Sequence, residues 1–353
     1  MTISAPVPVR TGERWPMRLP EPRGEVSGLV IERLRGDVAS ALDPAVAAAA
    51  VRRSADLLDD DDVQLALFLL YELHYGGLDG VDDALEWEPE VLAFRRELER
   101  GYEAALRALI PQPHATRDVP EALFALVEAA DDGPGLSSWV ETDATAEQVR
   151  EVMVHRSIYT LKEADPHSWA IPRLHGRAKS ALVEIQADEY GGGRPERLHA
   201  EIFAKTMREL DLDDRYGAYA DHVPALVYAS MNLMSLLGLQ RRLRGAIAGH
   251  LAAYEMTSSI PCRAYANGFR RLGLGDEAAD YFDEHVEADA VHEQLAARDL
   301  AGALADDEPD LADDILFGAS ACLTVDGRLW ASVRAAFEAG GSALRKPLDE
   351  ARP

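Results

Sequence analysis

The sequence predicts an all-α protein, a bundle of helices around one apolar interior. Three observations predict it. Ala, Leu, Glu and Arg dominate the 353 residues, and runs of β-branched residues are scarce. Turn and cap signals divide the chain into segments long enough for helices. No segment sustains the alternation of a half-buried strand, and no internal repeat is present. A length of 353 residues with 47% hydrophobic residues is ample for a packed core.

Taken in order, residues 1–22 are rich in proline and carry little periodicity, which predicts an extended arm. Residues 23–112 read as a helical extension, with helices at 45–58, 63–74 and 89–109. Asp43-Pro44 serves as cap and first position of the first of these, and Gly76-Gly77 and Asp79-Gly80 mark turns. Pro111-Gln-Pro113 breaks the chain, and a second unit spans 113–345. Its expected helices are 119–130, 145–164, 173–190, 196–209, 222–258, 262–271, 275–305 and 308–340. The stretch Thr257-Ser-Ser-Ile-Pro261 stops the longest of them.

Charge and composition exclude several functions. A formal net charge of −26 argues against nucleic acid and anionic membranes as partners. The two cysteines, Cys262 and Cys322, support neither a disulfide framework nor a zinc-thiolate site. The N-terminus lacks the apolar core of a signal peptide, and Ser230, Asn232 and Ser235 interrupt the most apolar stretch. A cytoplasmic location is the expectation.

Three segments carry candidate chemistry. In His285-Val-Glu-Ala-Asp289-Ala-Val-His292, helical geometry sets His285, Asp289 and His292 within about 60° on one face. Two imidazoles and a carboxylate on one stripe suit iron or manganese. The alternative is a solvated acidic helix face. Glu255 follows an apolar, small-residue face; if buried it needs a partner, and otherwise it pairs with an arginine at the helix end. Glu189 and His199 flank Gly191-Gly-Gly193, a break that lets two ligands approach one centre or that simply links two helices. The glycine run lacks the ending of a phosphate loop. Together the segments offer three carboxylates and three imidazoles, a fitting set for two metal ions in a helical bundle, although the usual pair of Glu-x-x-His motifs is missing.

At these residues the sequence resembles the haem-oxygenase-like di-iron oxidases and oxygenases, the iron-containing redox enzymes. The resemblance rests on His285-x3-Asp289-x2-His292, on Glu255 thirty residues upstream, and on the ten-residue step from Glu189 to His199. It extends to ADPHSWAIPRL (164–174), ALVEIQADEYGGGRPERLHAEIF (181–203), HLAAYEMTSSIP (250–261) and DEHVEADAVHE (283–293), and covers roughly residues 115–340. It implies a haem-oxygenase-like bundle preceded by the helical extension. It also implies two irons per chain, the second labile, held by Glu189, His199, Glu255, His285, Asp289 and His292. The ten-residue step resembles a branch with N-oxygenating members, which can draw a further glutamate from an upstream helix; Glu163 is the position to test.

The expected function is therefore O2-dependent oxidation of a small molecule, an amino-acid- or amine-derived metabolite, with an external electron donor and a homodimeric assembly. Residues one or two turns from the ligands, Tyr190, Met231, Met234, Leu251 and Met256, are candidate pocket residues; the alternative is that they are plain core. Asp188, Arg244 and Tyr254 are candidates to orient the ligands. His74, His155, His167, His175, His222 and His250 are read as surface or hydrogen-bonded core groups. The rival functions are a non-catalytic iron-binding protein and a thiaminase-type hydrolase. The hydrolase needs a cysteine nucleophile with a base, and neither cysteine has one nearby in sequence.

Overall fold

Helix α3 (Asp61–Glu72) lies at the centre of the N-terminal half because an unbroken apolar run, Leu65–Tyr71, covers its whole circumference, so it is buried on all sides. Asp60 starts it by accepting from the backbone N–H groups of Asp62 and Val63. Against it pack α1 (Glu25–Leu34) and α4 (Pro89–Leu109), and α2 (Pro44–Arg53) packs on α4. Asp43 caps α2 by accepting from Ala45 N at 2.9 Å, with Pro44 in the first turn, as the sequence predicts. The computed structural model describes residues 15–37, 41–110, 118–130 and 135–348, without the side chains of 287–290. Residues 1–14 of the expected arm, and the expected break at 111–113, lie outside these. In the described part of the arm, Trp15 stacks on Tyr216 with ring centroids 4.3 Å apart, and Met17 is fully buried.

The remaining helices are α5 (Val119–Ala130), α6 (Leu136–Thr142), α7 (Ala146–Thr160), α8 (Asp165–Ser168), α9 (Gly176–Glu189) and α10 (His199–Glu209). They continue as α11 (Ala225–Leu239), α12 (Arg244–Met256), α13 (Ser259–Arg271), α14 (Asp276–Gln294), α15 (Ala303–Asp307) and α16 (Ala312–Glu338). Among the described residues there is no strand, only an isolated bridge between Met17 and Leu78. The fold is all-α, and one apolar core runs from Met17 to Phe337 through both halves.

The most apolar helix, α11, packs against α3, and each of its polar interruptions hydrogen-bonds to a neighbouring segment. Asn232 donates to the Gln64 backbone and side-chain oxygens at 2.9 and 2.8 Å. Ser230 donates to Asp326, and Ser235 meets the Tyr75 hydroxyl. A second tie is the fully buried ion pair of Lys162 with Glu72, which also accepts from the Tyr216 hydroxyl at 3.0 Å. The Lys162 ammonium lies 3.9 Å from the Tyr75 ring centre. Among the described residues, no helix is long and apolar enough to cross a membrane.

Several expected helices divide or end early. The 45–58 helix ends at Arg53, before a separate 3-10 turn at Leu57–Asp59. The 222–258 helix breaks at Gln240–Leu243 into α11 and α12. The cause lies elsewhere in the chain: the Arg173 guanidinium donates to the carbonyls of Gly238 and Leu239, and Gln240 donates to Glu99 at 3.0 Å. Helix α7 stops at Thr160 rather than 164, in a turn where Ala164 adopts φ 73° and its carbonyl accepts from Gln186 at 2.8 Å. Beyond α14 the chain winds into a π-helical stretch, Leu295–Gly302, before α15. Pro261 sits in the first turn of α13, where its missing N–H costs nothing.

Helices α12 and α16 are in backbone contact. A Cβ added at Gly249 would overlap the Ile315 carbonyl, and one at Gly318 would overlap the Ala246 carbonyl. Gly249→Ala and Gly318→Ala are each expected to push the two helices apart and cost about 1–3 kcal/mol. Urea denaturation checks this; an unchanged midpoint for both variants would remove the claim that the contact requires glycine.

Candidate metal centre

Five elements converge at one end of the bundle. Glu189 lies in the last turn of α9, and Glu255 in the last turn of α12. His199 opens α10. His285 and His292 lie seven residues apart on α14. Glu163 lies in the turn that ends α7. The glycine break between Glu189 and His199 folds the chain back tightly. Gly191 has φ 68°, and a Cβ there would overlap the backbone of Arg197 and Leu198. That close approach returns His199 to Glu189, with Nδ1 2.9 Å from Oε2.

The side chains form two groups that share Glu189. In the first, one ligand atom each from Glu163, Glu189, His199 and His285 lies within 4.8 Å of the others. In the second, the same holds for Glu189, Glu255 and His292. His285 Nε2 is 3.7 Å from Glu163 Oε1, and the His199 and His285 rings are 4.4 Å apart. His292 Nδ1 is 3.4 Å from Glu255 Oε2. Glu189, Glu255 and the three histidines are all buried. Glu255 is buried, the case in which the sequence requires a partner for it, and His292 is one. Asp289 sits on α14 between the two histidines, and its side chain lies outside the described residues.

Hydrogen bonds fix which ring nitrogens face inward. His285 Nδ1 is 2.7 Å from the Tyr281 carbonyl, which only accepts, so Nδ1 is the donor and Nε2 points at Glu163. His292 Nε2 lies 3.0 Å from Asp188 Oδ2, which leaves Nδ1 at the centre. The Tyr281 hydroxyl donates to Glu163, with its two oxygens at 2.7 and 2.8 Å. Tyr281 was missed by sequence reasoning, although its place one turn before His285 on the same face was a usable signal. Asp188 stands where the sequence suggested an orienting group. Arg244 does not: it pairs with Glu308. Tyr254 stacks on His250, with centroids 5.3 Å apart.

The electrostatics favour a cation. Burial opposes charge on His292, yet Glu255, Asp188 and Glu189 push it up to about 9. Burial likewise opposes charge on His285 and His199, and the carboxylates of Glu163 and Glu189 respectively override it and raise both. Against its own burial, Glu189 is held below the usual carboxylate range by His199, His285 and His292. Glu189 and Glu255 also stand at helix C-termini, where the dipole disfavours a carboxylate by about 0.3–1 kcal/mol, and His199 opens a helix, where a neutral imidazole is preferred to its cation. Buried carboxylates so placed, alternating with inward-facing imidazoles, fit metal ions of the iron or manganese type better than they fit protons.

The five expected pocket residues scatter. Met231 lines a cleft between α7, α11, α12 and α16, whereas Met234 and Leu251 are buried in the core and Met256 is half-buried against it. The Tyr190 hydroxyl bonds Asp165 at 2.8 Å and Ser168 at 2.9 Å. Of the remaining histidines, His74 contacts Arg95 and Glu86, and His155 bonds backbone carbonyls. His222 Nδ1 meets the Lys346 carbonyl, and His167 and His250 bond each other at 3.1 Å. Cys262 is buried within electrostatic reach of His285 and Tyr281, a neighbourhood invisible in the sequence.

The family model described as iron-containing redox enzyme matches residues 150–327, a span that holds all seven candidate ligands. No curated protein matches the chain.

In the metal-free chain, the imidazolium of His292 adds stability that is fully present below its ordinary pKa of about 6.5 and is lost as pH rises through about 9. The melting temperature of metal-free protein should therefore fall between about pH 6.5 and 9, and His292→Gln should flatten that slope. Equal slopes in the two proteins would count against the pairing of His292 with Glu255.

Proposed function

The chain belongs to the iron-containing redox enzymes, and from that premise we propose that it is a non-haem, two-iron oxidase or oxygenase. It would use O2 and an external electron donor to oxidise a small amine- or amino-acid-derived molecule. The observation that carries this reading is the pair of buried ligand groups joined through Glu189. A haem would need one proximal histidine and would leave three buried or half-buried carboxyl groups, Glu163, Glu189 and Glu255, unexplained.

In this reading, Glu163, His199 and His285 hold one iron, Glu255 and His292 the other, and Glu189 serves both. Asp289, between the two histidines on α14, would be a further ligand in this reading. Bound iron would supply the activation of O2 and the electron transfer that side chains alone do not provide. The protein's own contribution is positional. Asp188 and the Tyr281 carbonyl lock the His292 and His285 rings with one nitrogen inward, and the Tyr281 hydroxyl holds Glu163 in place. Burial keeps bulk water from the carboxylates, so charge that develops there acts through a weakly screening medium. Binding of iron must release the protons of His285 and His292, so affinity rises with pH over their titration range.

Anaerobic titration with ferrous iron, followed by an O2 pulse, tests this. The wild type should take up about two irons per chain and consume O2. Glu255→Ala should keep about one iron, whereas Glu189→Ala, which strips a ligand from both groups, should retain well under one. Two irons with no O2 uptake under any added reductant would make the protein an iron-binding bundle without turnover. No iron binding would end the reading.

A further inference from the structure

Where the chain turns back between α9 and α10, a cleft of about 310 Å3 opens to solvent beside the metal centre. That lies within the roughly 300–1,000 Å3 of small-molecule sites. Its walls include Asp188, Gly192, Arg194, Arg197, His199 and Glu284. Both ligand groups border it. His199 belongs to the first, and Asp188 holds the ring of His292 in the second, with Oδ2 3.0 Å from Nε2. His199 is buried while both arginines are exposed, so the histidine is the floor of the cleft and the arginines are its rim. Gly192 adds no side chain to the wall, and a Cβ there would meet nothing within 4 Å. The glycine break that returns His199 to Glu189 thus also leaves the histidine at the bottom of an open cleft.

Both carboxylates of the cleft are engaged. Glu284 pairs with Arg197, and Asp188 with His292. Arg194 is left over. Its Nε donates to the Gly191 carbonyl at 3.4 Å, the guanidinium's only hydrogen bond among the described residues, and it forms no ion pair among them. The outer fork of the guanidinium, whose planar geometry matches a carboxylate, is open. Exposed arginines are common, but this one lines a cleft of ligand size that ends on a candidate metal ligand. Its charge also stands out on a chain of net charge −26. An anion is repelled by most of such a surface, and a cationic rim on one cleft draws it to that cleft. A purely cationic molecule would instead meet Arg194 and Arg197 at the entrance.

We propose that this cleft admits the substrate and that Arg194 holds it there by a carboxylate. The carboxylate sits at the rim, and the part of the molecule to be oxidised reaches past the glycine break towards His199. The inference rests on the oxidase reading above, because it supplies that centre with its substrate. It narrows the substrate to molecules that carry an acid group, such as amino acids, and excludes simple amines. Arg194 binds and orients the molecule and takes no part in the chemistry at the metal.

The test is isothermal titration calorimetry on the full chain, iron-free and, under anaerobic conditions, iron-loaded. The probes are L-leucine, L-methionine, L-lysine and L-arginine, each beside the amine that lacks its carboxylate. At least one amino acid should bind, and its amine should bind about tenfold more weakly or not at all. Arg194→Gln should weaken the amino acid about three- to tenfold, Arg194→Glu should weaken it further, and Arg194→Lys should keep part of the affinity. Added salt should weaken binding to the wild type more than binding to Arg194→Gln. Ferrous uptake of each variant, measured alongside, tells a lost carboxylate contact from a disturbed metal centre. The inference is overturned if no amino acid binds, if an amine binds as tightly as its amino acid, or if Arg194→Glu keeps wild-type affinity. Should a variant fail to fold by circular dichroism or lose its iron, the comparison of amino acid with amine on the wild type decides alone. Iron uptake and O2 consumption without a preference for the carboxylate would remove this contact only. Binding that depends on Arg194, without O2 consumption, would remove the oxidase reading only.

Discussion

The carboxylate of Glu189 is the constraint on which the rest of the site depends. It is buried at the negative end of a helix, and three imidazoles from two other helices lower its pKa. An isolated charge so placed would be neutralised or expelled, because the interior gives back little of the hydration it removes. The bundle instead surrounds it with groups that either share protons or share a metal ion. That single requirement explains why α9, α10, α12 and α14 end or begin where they do. It also explains why Gly191 must be a glycine: the chain has to turn back on itself within a few residues to return His199 to the carboxylate.

Much of the fold serves to hold those helix ends still. Glycine-mediated backbone contact locks α12, which carries Glu255, against α16. The turn that carries Glu163 is pinned on one side by the buried Lys162–Glu72 pair and on the other by Gln186. Through Glu72, the N-terminal helices reach the edge of the metal centre, so the region read from sequence as an extension shares a core with the region that holds the ligands. Rigid support of this kind is what keeps an electrostatic site preorganised.

The inward faces of the two ligand groups divide the labour of the proposed chemistry. Backbone and carboxylate acceptors outside the centre take one nitrogen of His285 and one of His292, and the other nitrogen is presented inward. Tyr159 and Tyr254, whose rings meet edge to face at 5.5 Å, lie directly beside this charged centre. The histidine pair His167–His250 backs Tyr254 from the other side, its pKa values depressed by burial, and so adds no positive charge near the centre at neutral pH.

By itself the sequence determined the fold class and most helix positions, and it singled out Glu163, Glu189, His199, Glu255, His285 and His292, the side chains that the fold brings together. Those properties are written in local spacing: cap residues, glycine and proline breaks, and a His-x3-Asp-x2-His stripe whose face follows from 3.6 residues per turn. Glu163 was legible only through the family resemblance, and Asp188 only as the neighbour of Glu189. Tertiary structure alone decided which carboxylate serves both groups, that Tyr281 holds Glu163, and that Arg244 belongs to Glu308. It also decided where the long helices break, since the partners responsible, such as Arg173 for Gly238 and Leu239, lie about 65 residues away. The reason is physical: spacing along a helix sets direction, but the cost of burying a charge is settled only by what the rest of the chain brings beside it.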